Sequence, residues 1–251
     1  MIATPVLTDA QIAAFQRDGY VVTPGAFSAD DAATIRRWTR EVEALPEISG
    51  RHWVFHEKSS IDGRDLINRI EYIAPFHAGF TALTAALKAP TAQLFGEDTL
   101  LFKEKINFKM PGGGGFEPHQ DSQAGWGNYA GNFVNAMVCI DAATLENGCI
   151  EFAPGQNQRG LLRGMEPLTD DDIRDMTFIP YPTSPGDVAY FDAYTPHRSS
   201  PNPTSAARRM YFATYNRASD GDHMEKYYAD KRRNFPPDIE RDPDREYIYK
   251  V

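Results

Sequence analysis

The sequence predicts an α+β fold whose mainly β core is a sandwich or jelly roll, with helices packed outside it. Two observations carry this. Across residues 100–215, strand-forming runs of four to eight residues alternate with Gly, Pro and Asn turns, the pattern of a sandwich or jelly roll. Helical periodicity is confined to the first hundred residues, and the 19 Gly and 18 Pro spread along the chain speak against a helical bundle. The expected organisation is one domain, with a helical flank over 1–99, a jelly-roll core over 100–217 and a tail over 218–251.

Residues 8–18 read as a helix: Thr8 with Gln11 three positions on is a capping box, Ile12 and Phe15 form the apolar stripe, and Gly19 ends it. A short strand, Tyr20 to Thr23, precedes a Pro-Gly turn. A second helix starts at Ser28, with Asp31 three residues on, and runs to about Leu45. Residues 51–57 alternate as a strand, and 78–95 are helical again. From Leu100 to Met110 a long strand places Lys103, Lys105, Asn107 and Lys109 on one face. Strands follow at 133–140, 149–153, 188–191 and 208–215, punctuated by Glu146-Asn-Gly148, Pro154-Gly155 and Ser184-Pro-Gly-Asp187. Residues 159–181 read as a polar connection, and the chain beyond Gly221 as a charged, partly structured tail.

With a net charge of −9, the 251-residue chain has no general basic surface for nucleic acid or anionic membrane. It contains no apolar run long enough to cross a membrane, and the Met1–Asp9 segment does not read as a signal peptide, so none is expected. Cys139 and Cys149 make no disulfide framework and read as reduced thiols in strands of a cytoplasmic protein.

The segment Phe116-Glu-Pro-His-Gln-Asp-Ser122 holds a His-x-Asp pair. In a strand, His119 and Asp121 would face one point with Gln120 turned away. Two histidines and a carboxylate with open positions beside them are the ligand set of non-haem Fe(II) oxygenases. Of the other five histidines, His197 stands out, because Arg208 and Arg209 open the strand that follows it. An arginine there could grip the far carboxylate of a metal-bound anion with two parallel hydrogen bonds. Only one of Arg208 and Arg209 should point inward. His52 and His56 read mainly as a packed or solvated strand face, His77 and His223 as surface residues.

These features together resemble the phytanoyl-CoA dioxygenase-like family of Fe(II)- and 2-oxoglutarate-dependent oxygenases. The likeness rests on His119-Gln-Asp121, Glu146-Asn-Gly148, Pro154-Gly155, Pro185-Gly-Asp187 and the run from His197 through Ser199 and Asn202 to Arg208. It extends to the opening Gln11…Phe15…Gly19-Tyr-Val, and so covers most of the chain. One departure is Gln156-Asn157, where the family usually has Ser-His after Pro-Gly. The resemblance implies a double-stranded β-helix (cupin-like jelly roll), iron ligands His119, Asp121 and His197, and Fe(II), 2-oxoglutarate and O₂ as cofactors. It implies Arg208, with Ser199 and Asn107, as the cosubstrate site, and Gln120 as a weaker candidate there. An Asp at 121 argues against a halogenase, which would keep a small residue there.

Substrate-binding candidates are Lys103 and Lys105, weighed against a solvated strand face, and Gln123, Trp126, Asn128 and Tyr129 after the iron pair, Trp126 being weighed against a core aromatic. The expected reaction is hydroxylation or oxidative ring closure of a free polar small molecule. Natural-product tailoring of a sugar ranks first, hydroxylation of a small aminophosphonate second, and a jelly-roll binding protein without turnover third. The expected assembly is a monomer or homodimer.

Overall fold

Period-two burial organises the β core. The computed structural model describes residues 2–247. In chain order the strands are β1 (Tyr20–Thr23), β2 (Trp53–Lys58), β3 (Asp65–Glu71), β4 (Thr99–Lys109), β5 (Phe116–His119), β6 (Val134–Cys139), β7 (Ile150–Phe152), β8 (Ile179–Tyr181), β9 (Val188–Asp192), β10 (His197–Ser199) and β11 (Arg208–Arg217). They form two antiparallel sheets, a seven-stranded one in the order β1-β9-β6-β11-β4-β3-β2 and a four-stranded one in the order β5-β10-β7-β8. Together they make the expected jelly roll.

Each central strand of the larger sheet carries two rows. The outer row includes Ile106, Phe108, Val134, Ala136, Val138, Tyr190, Tyr211 and Ala213, which share one apolar cluster with the helices. The inner row is apolar at Met137, Cys139, Ala189, Phe191 and Met210, which pack on Ile150 and Phe152 of the smaller sheet. On β4 the inner row is instead polar. Both faces of these strands are therefore covered, as their nearly continuous burial requires.

The helices cover the outer row. α1 (Asp9–Asp18) begins with the predicted Thr8–Gln11 capping box and ends on a left-handed Gly19. α2 (Ala29–Glu43) is capped by Ser28. α3 (Ala78–Phe95) buries Phe80, Leu83 and Leu87 completely, each worth about 1.5–3 kcal/mol of transfer free energy. The Phe80 ring lies 5.0 Å from that of Tyr211, and the Tyr215 hydroxyl donates to the Thr84 carbonyl at 2.6 Å.

Four features depart from the sequence expectation. β1, β2 and β3 lie within the helical flank yet belong to the larger sheet, and β3 was not expected at all. Its alternation is interrupted by Asn68 and Arg69, so pairing with β2 and β4 defines it more than its own pattern does. The connection 159–181 contains β8 and the one-turn helix α4 (Asp170–Ile173). The tail contains α5 (Met224–Asn234), whose buried face is little more than Tyr227 and Tyr228. The Tyr228 hydroxyl lies 3.2 Å from the Glu104 carbonyl and docks the helix on β4. Among the described residues no helix is long and apolar enough to cross a membrane.

Candidate metal centre and its cavity

β5 and β10 pair antiparallel with His197 directly opposite His119, which puts both imidazoles on one face. β5 ends at His119. Gln120 stays extended, and Asp121 opens a 3₁₀ turn over Asp121–Ala124. The expected strand spacing of His-x-Asp is thus replaced by a strand end and a turn. One ligand atom from each of His119, Asp121 and His197 lies within 4.8 Å of the others. The imidazole centroids are 4.2 Å apart.

The backbone selects the tautomers. His119 Nδ1 lies 2.7 Å from the Glu117 carbonyl, and His197 Nδ1 lies 3.0 Å from the Thr195 carbonyl. A carbonyl only accepts, so each Nδ1 carries the proton and each Nε2 offers a lone pair. Burial, helped by His197, pushes His119 down to about 4, so its ring is neutral near pH 7. Burial alone would raise Asp121; electrostatic interaction with the neighbouring His197, Lys105, His119 and Lys103 outweighs it and holds the carboxyl below its usual range. Asn135 on β6 donates from Nδ2 to Asp121 Oδ2 at 2.9 Å, and accepts from Thr214 Oγ1 at 2.6 Å. Two imidazoles, each with its Nδ1 turned to a backbone carbonyl, and an ionised carboxylate converge from one side, backed by a second layer, and fit a divalent iron with open positions.

The triad sits in a cavity of about 470 Å³. From β4 it receives Lys103, Lys105 and Asn107, from β11 Arg208 and Phe212, and from β10 Ser199. Arg208 points inward, as one of the arginine pair must; Arg209 points out and pairs with Asp141 at 2.7 Å and Glu43 at 3.1 Å. The solvated-face alternative for the β4 lysines does not hold, since Lys103 is 4% and Lys109 2% exposed. Lys103 Nζ lies 4.8 Å from the Trp126 ring centroid, and Lys105 Nζ 5.3 Å from that of Phe212. Burial, then repulsion from Lys103, lowers Lys105 to about 7. Trp126, Asn128 and Tyr129 also line the cavity.

Gln120 and Gln123 do not. The Gln120 amide nitrogen donates to the Gly160 and Tyr194 carbonyls at 2.8 and 2.6 Å, and its oxygen accepts from Leu162 N–H at 2.8 Å. Gln123 accepts from Gln120 N–H and donates to the Glu166 carbonyl. Facing away from the triad, both fasten the segment around 160–166. His56 likewise lies outside this cavity, between Glu47 at 3.1 Å and Asp238 at 3.2 Å.

The sequence reading missed the wall supplied by α5: Tyr227, Asp230, Lys231 and Asn234. Lys231 Nζ contacts Glu71 at 2.5 Å, which Arg69 also pairs at 2.8 Å. Burial alone would raise Glu71, but Lys231, Arg69, Lys103 and Lys105 hold it below its ordinary range. Asp230 is engaged by Tyr129 at 2.8 Å, Lys226 at 2.6 Å and Arg233. A helix so charged gives no sequence signal for a pocket wall. Phe116 and Met137, also in the lining, could have been found from their places on the inner rows.

Comparison with known proteins agrees with this geometry. The family model described as phytanoyl-CoA dioxygenase matches residues 15–210. A methylphosphonate hydroxylase of Gimesia maris is 40% identical over 233 residues, covering 91% of this chain and 88% of that protein. A 2-aminoethylphosphonate dioxygenase of an uncultured bacterium, HF130_AEPn_1, is 35% identical over 245 residues, covering 96% and 93%. The crystal structure of EctD from S. alaskensis with 2-oxoglutarate and 5-hydroxyectoine shares the fold, with a TM-score of 0.74, 24% identity and coverage of 85% and 77%.

Proposed function

We propose that this chain, which belongs to the phytanoyl-CoA dioxygenase family and is an Fe(II)- and 2-oxoglutarate-dependent dioxygenase, hydroxylates a small phosphonate. The observation that carries this is the charge of the cavity wall. Lys103, Lys105 and Lys231 line it together, and the carboxylates beside them are committed. Asp121 belongs to the triad, Glu71 holds Lys231 and Arg69, and Asp230 holds Tyr129, Lys226 and Arg233. A neutral sugar offers these ammonium groups only neutral acceptors, whereas a phosphonate offers charge-assisted ones. The relatives named for phosphonates move this reading ahead of sugar tailoring, the first expectation from the sequence.

In this reading His119, Asp121 and His197 hold the metal, and Arg208, Asn107 and Ser199 hold the cosubstrate. When bound, iron and 2-oxoglutarate supply O₂ activation and C–H hydroxylation, with succinate and CO₂ as co-products. Lys103 and Lys105 stand about 7 Å apart along β4, a span that lets one phosphonate accept from both. Trp126 and Phe212 hold the two ammonium stems in place. Phe116, Met137, Ile150 and Phe212 line the cavity with apolar surface and exclude water. Among the described cavity-lining residues, no carboxylate is left for a substrate ammonium. This favours methylphosphonate or another alkylphosphonate over an aminophosphonate.

Succinate formation with methylphosphonate, 2-aminoethylphosphonate and a panel of sugars tests the reading, with ³¹P NMR identifying the hydroxylated product. Phosphonate-dependent turnover is expected, and Lys105→Met should raise KM for the phosphonate about tenfold or more, the loss of one charge-assisted hydrogen bond. Turnover of a sugar with none of any phosphonate would overturn it.

A further inference from the structure

Lys109, the last residue of β4, has no part in the reading above. It is the direct register partner of Arg208, on the same inner face of adjacent antiparallel strands. Like charges directly opposite each other destabilise a sheet. Here both are almost completely buried, Lys109 at 2% and Arg208 at 4% exposure. Among the described residues neither forms an ion pair, and Arg208 Nε has no hydrogen-bond partner. Such a pair of cations either sheds the lysine proton or holds both charges with an anion completing the site.

The contacts of Lys109 say how it acts. Its Nζ donates to Ser199 Oγ at 2.7 Å and to the Ser200 carbonyl at 2.5 Å. An ammonium has no acceptor capacity, so a charged Lys109 obliges Ser199 Oγ to accept. The Ser199 hydroxyl proton must then point elsewhere, and Ser199 lines the cavity beside Arg208. A neutral amine would remove that constraint and could itself accept the proton.

We propose that Lys109 is a positioning residue for the cosubstrate: its ammonium turns the Ser199 hydroxyl toward the distal carboxylate of 2-oxoglutarate and adds a second positive charge behind Arg208. This rests on the assignment of Arg208 as the cosubstrate anchor. Burial and repulsion from Arg208, only partly offset by Glu57 and Cys149, lower Lys109 to about 6. Binding of the dicarboxylate restores the ammonium, so cosubstrate binding takes up a proton.

The experiment is an anaerobic titration of Fe(II)-loaded protein, followed by its visible charge-transfer band. Two probes are used: 2-oxoglutarate, and pyruvate, which lacks the distal carboxylate. Lys109→Met should weaken 2-oxoglutarate about tenfold or more and leave pyruvate unchanged, while Lys109→Arg should keep most of the affinity. At pH 5.5, where Lys109 is protonated, metal-free Lys109→Met should melt at or above the wild-type temperature, because the buried repulsion is gone, and at pH 7 it should gain less from added 2-oxoglutarate. Unchanged 2-oxoglutarate affinity in Lys109→Met, or an equal loss for both probes, overturns the proposal. If Arg208→Met weakens 2-oxoglutarate and Lys109→Met does not, Lys109 alone is misread; if neither does, the anchor assignment itself fails. Should Lys109→Met not fold, the wild-type pH profile decides. The 2-oxoglutarate Kd should rise as pH rises from 6 to 8.5 while that of pyruvate stays flat, and a matching pair of profiles overturns the proposal.

Discussion

Replacing Asn135 by alanine probes how the fold supports the metal triad without touching a ligand. The Asn135 side chain spans two strands: its nitrogen donates to Asp121 at 2.9 Å, and its oxygen accepts from Thr214 at 2.6 Å. Asn135 and Thr214 are both buried, next to the half-buried Asp121 of the triad. A hydrogen bond to a charged group is worth about 1.5–3 kcal/mol, which converts to roughly a 10–150-fold change in an equilibrium constant. Groups that orient metal ligands from behind typically account for about 10–100-fold in metal affinity. Asn135→Ala should therefore weaken metal binding about 10–100-fold, read by anaerobic titration with Co(II) and its visible absorption. Thr214→Val removes the outer link but leaves the Asn135–Asp121 bond. It should cost stability, about 1–3 kcal/mol for the orphaned amide oxygen, and change metal affinity less than threefold. Thermal unfolding of both metal-free variants separates the two effects. Unchanged metal affinity in Asn135→Ala, or an equal loss in Thr214→Val, would refute the reasoning.

Two further predictions concern the frame around the site. The Glu104 carboxylate is fully buried on β4 and accepts from the Ala74 backbone N–H at 2.9 Å and from that of Ile73. Burial outweighs those bonds and raises it to about 7. Its folded pKa lies above the unfolded value, so its contribution is fully present below the unfolded pKa and is lost as pH rises through about 7. Glu104→Gln keeps the acceptor oxygen, so wild type should lose stability relative to this variant between pH 5 and 8, by at most about 3 kcal/mol. Equal unfolding temperatures across that range would contradict this. Gly148 has φ +74°, and a Cβ there would stand 2.0 Å from the Ser200 carbonyl oxygen that Lys109 holds. Gly148→Ala should lower the unfolding temperature by several degrees and weaken 2-oxoglutarate binding with it, whereas Gly127→Ala, in open space, should do neither.

The sequence by itself determined a β core of sandwich or jelly-roll type, because two-residue alternation and Gly/Pro turns are local signals that survive into the sheets, and the family resemblance implied the jelly roll. The capping pairs of α1 and α2 were legible for the same reason. Residue type and spacing also singled out His119, Asp121 and His197, and strand parity required one inward arginine of the pair; the family resemblance implied the ligand set and Arg208 as that arginine. The row Lys103, Lys105, Asn107 and Lys109 was readable as one face, but not whether that face met water or a cavity. Only the docking of α5 and the smaller sheet decided that. The tertiary structure alone showed that Gln120 and Gln123 turn away to fasten the 160–166 segment, that Asn135 holds Asp121, and that α5 closes the pocket with Asp230 and Lys231. These depend on contacts between residues tens to more than a hundred positions apart, which no local pattern records.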